Sequence, residues 1–170
     1  MRRVVILGNG GSGKSELARE LSRRTGLPVV HLDPLFWRPG WKAGPREQFR
    51  RELDEKVAEE RWIIDGNFVR AGDRRFERAD TAIFLDLPRR VSMTRAVRRY
   101  LRDRRTNRPD LPDGCEEGLD WEFLKWMWHF DRDDRPQILE RLRASPARLV
   151  HLRSPAEVRD YIATLSAPAA

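Results

Sequence analysis

A glycine-rich turn stands between an apolar stretch and an amphipathic stretch near the start of the chain. Residues 4–8 read Val-Val-Ile-Leu-Gly, and after four more residues comes Gly13-Lys14-Ser15. This spacing is that of a phosphate-binding loop, in which glycines let the backbone turn tightly and aim several N–H groups at one anion. The pattern predicts a buried strand over 3–7, a loop, and a helix over 14–24.

Residues 8–15, which we call the P-loop, contain the groups that a triphosphate and its magnesium ion require. We expect Lys14 to contact the β- and γ-phosphates and the Ser15 hydroxyl to ligate Mg²⁺. The helix that follows adds unpaired N–H groups and the positive end of its dipole. The sequence therefore predicts ATP and Mg²⁺ as cofactors, held by Gly8, Gly10, Gly11, Ser12, Gly13, Lys14 and Ser15.

The charge balance of the chain favours anionic partners. Its 170 residues include 34 Lys and Arg against 27 Asp and Glu, which gives a formal net charge of +7. Such an excess suits phosphorylated small molecules, and it also predicts some nonspecific nucleic-acid binding. A genomic bias toward arginine would explain the surface charge equally well.

Cysteine content and hydropathy indicate the cellular compartment of the protein. Cys115 is the single cysteine, which excludes an internal disulfide and a zinc site built from several cysteines. The chain enters a strand at once, so no signal peptide is expected. No apolar run approaches the ~20 residues of a membrane span. We predict a cytoplasmic protein with no membrane association.

Strand-like apolar runs alternate with helical patterns along the whole chain. Because this alternation requires crossover connections, it predicts a parallel sheet between two helical layers. The fold class expected is α/β, a three-layer α/β/α sandwich in a single domain over residues 1–170. Its five parallel strands are predicted over 3–7, 29–32, 62–66, 81–85 and 148–152.

The connections of the predicted sheet carry further features. Residues 35–41 form an aromatic-rich loop around Arg38, whose rings either bind a ligand or pack over the edge of the core. Residues 67–78 are expected to be a polar connection. Pro45 opens a helix with Phe49, Leu53 and Val57 at four-residue spacing. Residues 154–157 form a capping box before the last helix.

A helix over 89–104 has an unusual concentration of arginine, with eight Arg among the 17 residues of 89–105. Val91, Thr94, Val97 and Leu101 are its predicted apolar stripe. Residues 104–120 have the composition of a mobile loop and are predicted to be a lid, followed by a second helix with Arg132 and Arg135. Phosphoryl transfer needs such cations and a cover that excludes water.

In these features the chain resembles the adenylate-kinase-type P-loop kinases, and in particular the group labelled DNA-topology modulation proteins. The motifs shared with the kinases are the P-loop, Ile64-Asp65-Gly66, and Phe84-Leu-Asp-Leu-Pro88 followed by Arg95 and Arg99. The motifs shared with the topology-modulation group are His31-Leu-Asp33, Phe36-Trp-Arg-Pro-Gly-Trp41 and Trp62-Ile-Ile-Asp-Gly-Asn-Phe68. The resemblance implies a nucleoside monophosphate kinase-like fold, with an acceptor region over about 33–70.

The resemblance also implies roles for single residues. Asp65 would orient Mg²⁺ through water, and Gly66 would approach the acceptor. Arg95 would stack on the adenine of ATP, while Arg99, Arg132 and Arg135 would contact the transferring phosphates. Arg38 and Arg70 would bind the acceptor. Trp41, in the aromatic-rich loop near Asp33, is a further candidate for acceptor binding. Arg70 is displaced by one residue from the family position, and the post-lid pattern Arg-x-Asp-Asp is not met.

These departures leave three functions open. The leading one is transfer of the γ-phosphoryl group of ATP to a nucleoside or deoxynucleoside monophosphate. The second is a kinase of the shikimate or gluconate type, in which Asp33 would bind or deprotonate an acceptor hydroxyl. The third is a nucleotide-switched DNA-binding protein with weak ATPase activity, although the sequence contains no recognisable DNA-reading motif.

Overall fold

The computed structural model describes residues 1–69, 74–103, 114–115 and 118–165. Its main sheet has five parallel strands in the order β2-β5-β1-β6-β7. They are β1 (Arg3–Gly8), β2 (Val29–His31), β5 (Trp62–Asp65), β6 (Thr81–Leu85) and β7 (Arg148–Leu152). Two short strands, β3 (Trp37–Arg38) and β4 (Lys42–Ala43), form a separate antiparallel hairpin.

Eight helices occur among the described residues: α1 (Lys14–Thr25), α2 (Leu32–Phe36), α3 (Arg46–Ala58), α4 (Arg75–Arg78), α5 (Arg89–Asp103), α6 (Trp121–Asp133), α7 (Arg135–Ala144) and α8 (Pro155–Thr164). In that part of the chain, no helix is long and apolar enough to cross a membrane.

Side chains that alternate along the strands divide the core into two clusters, one on each face of the sheet. Val4 and Ile6 of β1 pack with α1 and α8, whereas Val5 and Leu7 pack with α3, α6 and α7. Successive residues of a strand point to opposite faces, so a strand buried on both sides must be apolar throughout. The predicted three-layer sandwich with five parallel strands is confirmed.

Local signals mark the end of α1 and the start of α8. Gly26 follows α1 with a φ of 66°, the left-handed conformation that glycine adopts at no steric cost. Ser154 Oγ accepts a hydrogen bond from the Glu157 N–H at 3.2 Å, which is one half of the predicted capping box of α8. The Glu157 carboxylate accepts from the Arg153 N–H at 2.8 Å.

Two predicted connections contain regular structure instead. Residues 35–41, predicted as a loop, are the end of α2 and the β3–β4 hairpin. The polar connection over 67–78 contains the short helix α4, in which Arg75 is fully buried. The hairpin pairs Trp37 with Ala43 and Arg38 with Lys42, and α4 places Arg75 where it donates to the carbonyl oxygens of Gly66 and Asn67.

The predicted apolar stripe of α5 is also wrong. Ser92 and Ala96 are the buried residues, whereas Val97 and Leu101 are 36% and 61% exposed. Because α5 lies directly against the backbone of the P-loop, its inner face needs small side chains rather than large apolar ones.

Candidate functional site

The P-loop connects β1, the central strand, to α1 at the carboxyl edge of the sheet. β1 ends at Gly8, and α1 begins at Lys14 after Gly13, whose φ is 97°. Gly11 has a φ of 70°, and a Cβ added to it would lie 2.2 Å from the Ser92 carbonyl oxygen of α5. Glycine is therefore required at position 11 both by the backbone conformation and by the packing of α5.

The Lys14 side chain folds back over the start of this loop. Its Nζ donates hydrogen bonds to the carbonyl oxygens of Gly8 and Asn9, each at 3.0 Å. Ser15 is the next residue of α1 and is half-buried. The ammonium group and the first turn of α1 therefore meet at the loop, as the sequence predicts for a phosphate site.

Helix α6 covers the other side of the P-loop. Asn9 Nδ2 donates to the Met127 carbonyl oxygen at 2.9 Å. A Cβ added to Gly10 would lie 2.9 Å from the Phe123 ring and 3.0 Å from Met127 Cγ. The predicted nucleotide-binding glycine at position 10 therefore serves close packing of α6 against the loop in this structure.

Asn67 is a site residue that sequence reasoning missed. Its Oδ1 accepts from the Gly8 N–H at 3.1 Å, and its Nδ2 donates to the Gly8 carbonyl oxygen at 2.9 Å. An asparagine directly after a strand that ends in Asp-Gly is the signal in the sequence, but its target lies 59 residues away.

Arg75 binds the same segment and is a second residue that the sequence analysis does not predict for the site. Its Nη1 donates to the Gly66 carbonyl oxygen at 2.9 Å, and its Nη2 donates to the Asn67 carbonyl oxygen at 2.8 Å. Gly66 has a φ of 140°, and an added Cβ would lie 2.8 Å from Leu32 Cβ. The turn after β5 is thus held tightly between α2 and α4.

On the acceptor side, β2 and β5 bring two titratable groups together. His31 and Asp65 are register partners at the ends of these strands, and His31 Nδ1 lies 3.0 Å from Asp65 Oδ2. Asp33 lies two residues beyond β2, in the first turn of α2, and its side chain is exposed. Asp33 therefore lies at the edge of the sheet where the P-loop begins.

The aromatic residues of this region divide into two kinds. The Phe36 ring lies 5.3 Å from the ring of Phe49 and 4.8 Å from that of Phe68, so it belongs to the core. Trp41 is 38% exposed, adopts a φ of 57°, and meets Trp37 edge to face. The core-edge interpretation thus holds for Phe36, whereas Trp41 offers an accessible ring.

Arg38 lies in β3, beside these aromatic residues. It is half-buried, and its Nη1 donates to the Leu35 carbonyl oxygen at 3.2 Å. Arg70 lies outside the described residues, as do most residues of the predicted lid over 104–120. Their acceptor-binding and covering roles stay predictions.

Arginines of α5 lie beside the loop. Arg95 Nη1 donates to the Ser12 carbonyl oxygen at 3.4 Å, which places its guanidinium at the P-loop. Arg99 follows one turn later and is half-buried. The predicted roles of Arg95 on the adenine and Arg99 on the phosphates remain predictions.

Arg132 and Arg135 both bind carboxylates of the protein in this structure. Arg132 is exposed and pairs with Asp133, with a distance of 2.7 Å from Nε to Oδ1. Arg135 makes two hydrogen bonds of 2.8 Å to the carboxylate of Asp86, which also contacts His151 Nε2 at 2.8 Å. Each arginine uses Nε and Nη2 on its carboxylate, so a phosphate would compete with that carboxylate for the guanidinium.

The environment of Asp86 shifts its pKa. Burial by itself would raise the pKa of this carboxyl, but the hydrogen bonds from Arg135 and His151 outweigh that effect and lower it. The hydrogen bond to Asp86 in turn raises the pKa of Arg135. This cluster ties β6, β7 and the start of α7 together next to the P-loop edge.

The residues predicted to hold Mg²⁺ fit an ion that arrives with a nucleotide. Asp65 Oδ1 is buried, and the described residues offer it no hydrogen-bond partner. A buried carboxylate oxygen of this kind suits the water shell of a cation. No group of three or more His, Cys, Asp or Glu among the described residues could hold a metal by itself.

Comparisons with known proteins agree with this architecture. No family model and no curated protein matches the sequence. The fold is that of a shikimate kinase from Acinetobacter baumannii in complex with shikimate, with a TM-score of 0.60 and 15% identity, over 96% of this chain and 89% of that one.

Two further solved structures are similar. A shikimate kinase from Bacteroides thetaiotaomicron gives a TM-score of 0.56 at 20% identity, over 96% of this chain and 95% of that one. A gluconokinase from Sinorhizobium meliloti gives 0.54 at 19% identity, over 96% and 91%. The chain thus has a P-loop kinase fold, with a P-loop at the carboxyl edge of a five-stranded parallel sheet.

Proposed function

We propose that this protein is a kinase that transfers the γ-phosphoryl group of ATP to a hydroxyl group of a small molecule. The observation that carries the proposal is the placement of Lys14 in the P-loop after β1 and of exposed Asp33 just beyond β2, at the same edge of the sheet with only β5 between the two strands. The similar solved structures named as shikimate kinase and gluconokinase support this acceptor class over a monophosphate.

In this mechanism, the P-loop amides and Lys14 bind the β- and γ-phosphates of ATP. Asp33 accepts a hydrogen bond from the acceptor hydroxyl and takes its proton as the oxygen bonds to the γ-phosphorus. The bond between that phosphorus and the bridging oxygen of ADP breaks, and ADP leaves. Ser15 and Asp65 would hold Mg²⁺, which neutralises charge on the phosphates when it is bound.

The first test is a screen of acceptors by ADP release from ATP and Mg²⁺. We expect a hydroxylated acid or sugar to raise turnover above the rate with ATP alone. In the Asp33→Asn variant, turnover should fall by roughly 10²- to 10⁴-fold, the usual contribution of a general base, while ATP affinity is kept. The proposal fails if no hydroxyl acceptor raises turnover.

A nucleoside monophosphate acceptor is the second candidate, and the accessible ring of Trp41, in the same β3–β4 hairpin as Arg38, favours it. An aromatic ring can stack on a base, and a guanidinium can bind a phosphate. Because a phosphate acceptor needs no base, Asp33→Asn would then reduce turnover only slightly. The same screen with nucleoside monophosphates decides between the two acceptors.

A further inference from the structure

The hydrogen bond between His31 and Asp65 joins two strand ends at the edge of the sheet. Because the strands are parallel and the residues are register partners, their side chains lie next to each other. The distance from His31 Nδ1 to Asp65 Oδ2 is 3.0 Å, and the two side chains are 17% and 5% exposed. An ionised carboxylate can only accept, so Nδ1 is the donor.

The second oxygen of Asp65 is in a different situation. Oδ1 is buried and has no hydrogen-bond partner among the described residues, although buried carboxylate oxygens almost always have one. Within the described residues, the protein satisfies one oxygen of the carboxylate and leaves the other open to a further partner.

The position of Asp65 indicates what that partner is. In the sheet, Asp65 is also the register partner of Ile6 in β1, two residues before the P-loop begins at Gly8. Asn67, two residues after Asp65, contacts Gly8 directly. A nucleotide in the P-loop would therefore bring its divalent cation and the water around it to this edge.

We propose that His31 is a positioning residue for Asp65. By donating its Nδ1 proton to Oδ2, His31 prevents the carboxylate from rotating and keeps Oδ1 directed at the hydration shell of the nucleotide-bound cation. This inference rests on the proposed kinase function, since the cation arrives with the nucleotide. It predicts that His31 controls cation affinity without contacting either the cation or the nucleotide.

The test measures binding of Mn²⁺ to the protein with ADP by electron paramagnetic resonance, and binding of ADP in EDTA by calorimetry. In His31→Ala, we expect Mn²⁺ affinity to fall by about 10-fold or more, as for other partners that orient a ligand. ADP affinity in EDTA should stay within about twofold of the wild type. His31→Asn, which keeps an N–H donor, should recover most of the Mn²⁺ affinity.

His129→Ala is the matched control, because His129 Nδ1 bonds to the Lys125 carbonyl oxygen of its own helix. We expect its Mn²⁺ affinity to match the wild type. Should His31→Ala fail to fold by circular dichroism, His31→Asn and His31→Gln replace it, and the Gln variant, with a longer side chain, should bind Mn²⁺ more weakly than the Asn variant.

Two results would overturn the role of His31 and leave the proposed kinase function standing. One is a Mn²⁺ affinity in His31→Ala equal to that of the wild type, and the other is a loss of ADP affinity in His31→Ala that is the same with Mn²⁺ and in EDTA. If the wild type itself binds ADP no better with Mn²⁺ than in EDTA, the proposed kinase function fails, and the role of His31 fails with it.

Discussion

Asn67 and Gly8 make a reciprocal pair of hydrogen bonds across the edge of the sheet. The side-chain amide of Asn67 accepts from the Gly8 N–H at 3.1 Å and donates to the Gly8 carbonyl oxygen at 2.9 Å. Lys14 Nζ donates to the same carbonyl. The segment after β5 is thereby joined to the first residue of the P-loop.

This pair predicts the effect of Asn67→Ala. The change leaves the buried Gly8 N–H without its partner, which should lower the free energy of unfolding by about 1–3 kcal/mol. Urea unfolding of the protein without ligands measures this loss, and ATP affinity should fall as well because the loop is less fixed.

Ser22→Ala is the control for the Asn67 variant. Ser22 Oγ donates to the Leu27 carbonyl oxygen at 2.7 Å near the end of α1, away from the P-loop. This variant should lose stability but keep its ATP affinity. Unchanged stability in Asn67→Ala would contradict the importance of the pair.

Two glycines with nearly the same backbone conformation provide a second prediction. Gly11 and Gly26 have φ values of 70° and 66°, but only an alanine at position 11 would meet a neighbour, the Ser92 carbonyl oxygen at 2.2 Å. Gly11→Ala should lower the free energy of unfolding by about 2–4 kcal/mol, because the backbone at position 11 is strained and α5 must also move away from the added methyl group.

In Gly26→Ala the left-handed conformation is strained without a clash, and the expected loss is about 1 kcal/mol. Thermal unfolding of both variants, with and without ATP, checks the difference. Equal losses at the two positions would show that α5 does not press on the P-loop.

Lys14 should matter more for catalysis than for folding. Its ammonium group contacts two loop carbonyls, and in the proposed reaction it stabilises charge on the transferring phosphoryl group. We expect Lys14→Met to lower turnover by about 10²- to 10³-fold, the usual cost of removing one such group. Circular dichroism should show an unchanged fold, and near wild-type turnover would refute the assignment.

The Asp86 cluster predicts how stability depends on pH. The pKa of Asp86 is lowered in the folded protein, so its ion pair stabilises the fold above the unfolded-state pKa of about 3.9. That contribution is lost as the pH falls through the lower folded-state value. Because Arg135 is partly exposed and screened by solvent, we expect Arg135→Gln to cost only about 1–2 kcal/mol at pH 7.

As Asp86 becomes protonated below about pH 4, the difference between Arg135→Gln and the wild type should shrink. Urea unfolding across pH 3–7 measures this convergence. Arg141→Gln is a suitable control, since Arg141 is an exposed residue of the same helix. If the difference between Arg135→Gln and the wild type stays constant with pH, the loss of stability does not come from the ion pair with Asp86.

The sequence by itself determined the alternation of strands and helices and the place of the P-loop. Strand β1, the glycines of the loop and α1 follow one another along the chain, and the capping box of α8 lies within four residues. Such features depend on periodicity and on turn geometry between neighbours, which are properties of the local sequence.

Only the tertiary structure decided which residues meet at the site. The pairs Asn67–Gly8 and His31–Asp65 depend on the strand order β2-β5-β1 and its register. The inner face of α5 depends on the loop it covers, so Ser92 is buried and Leu101 is exposed. The physical reason is that burial and pairing are set by elements that pack together in space, and these are remote from one another along the chain.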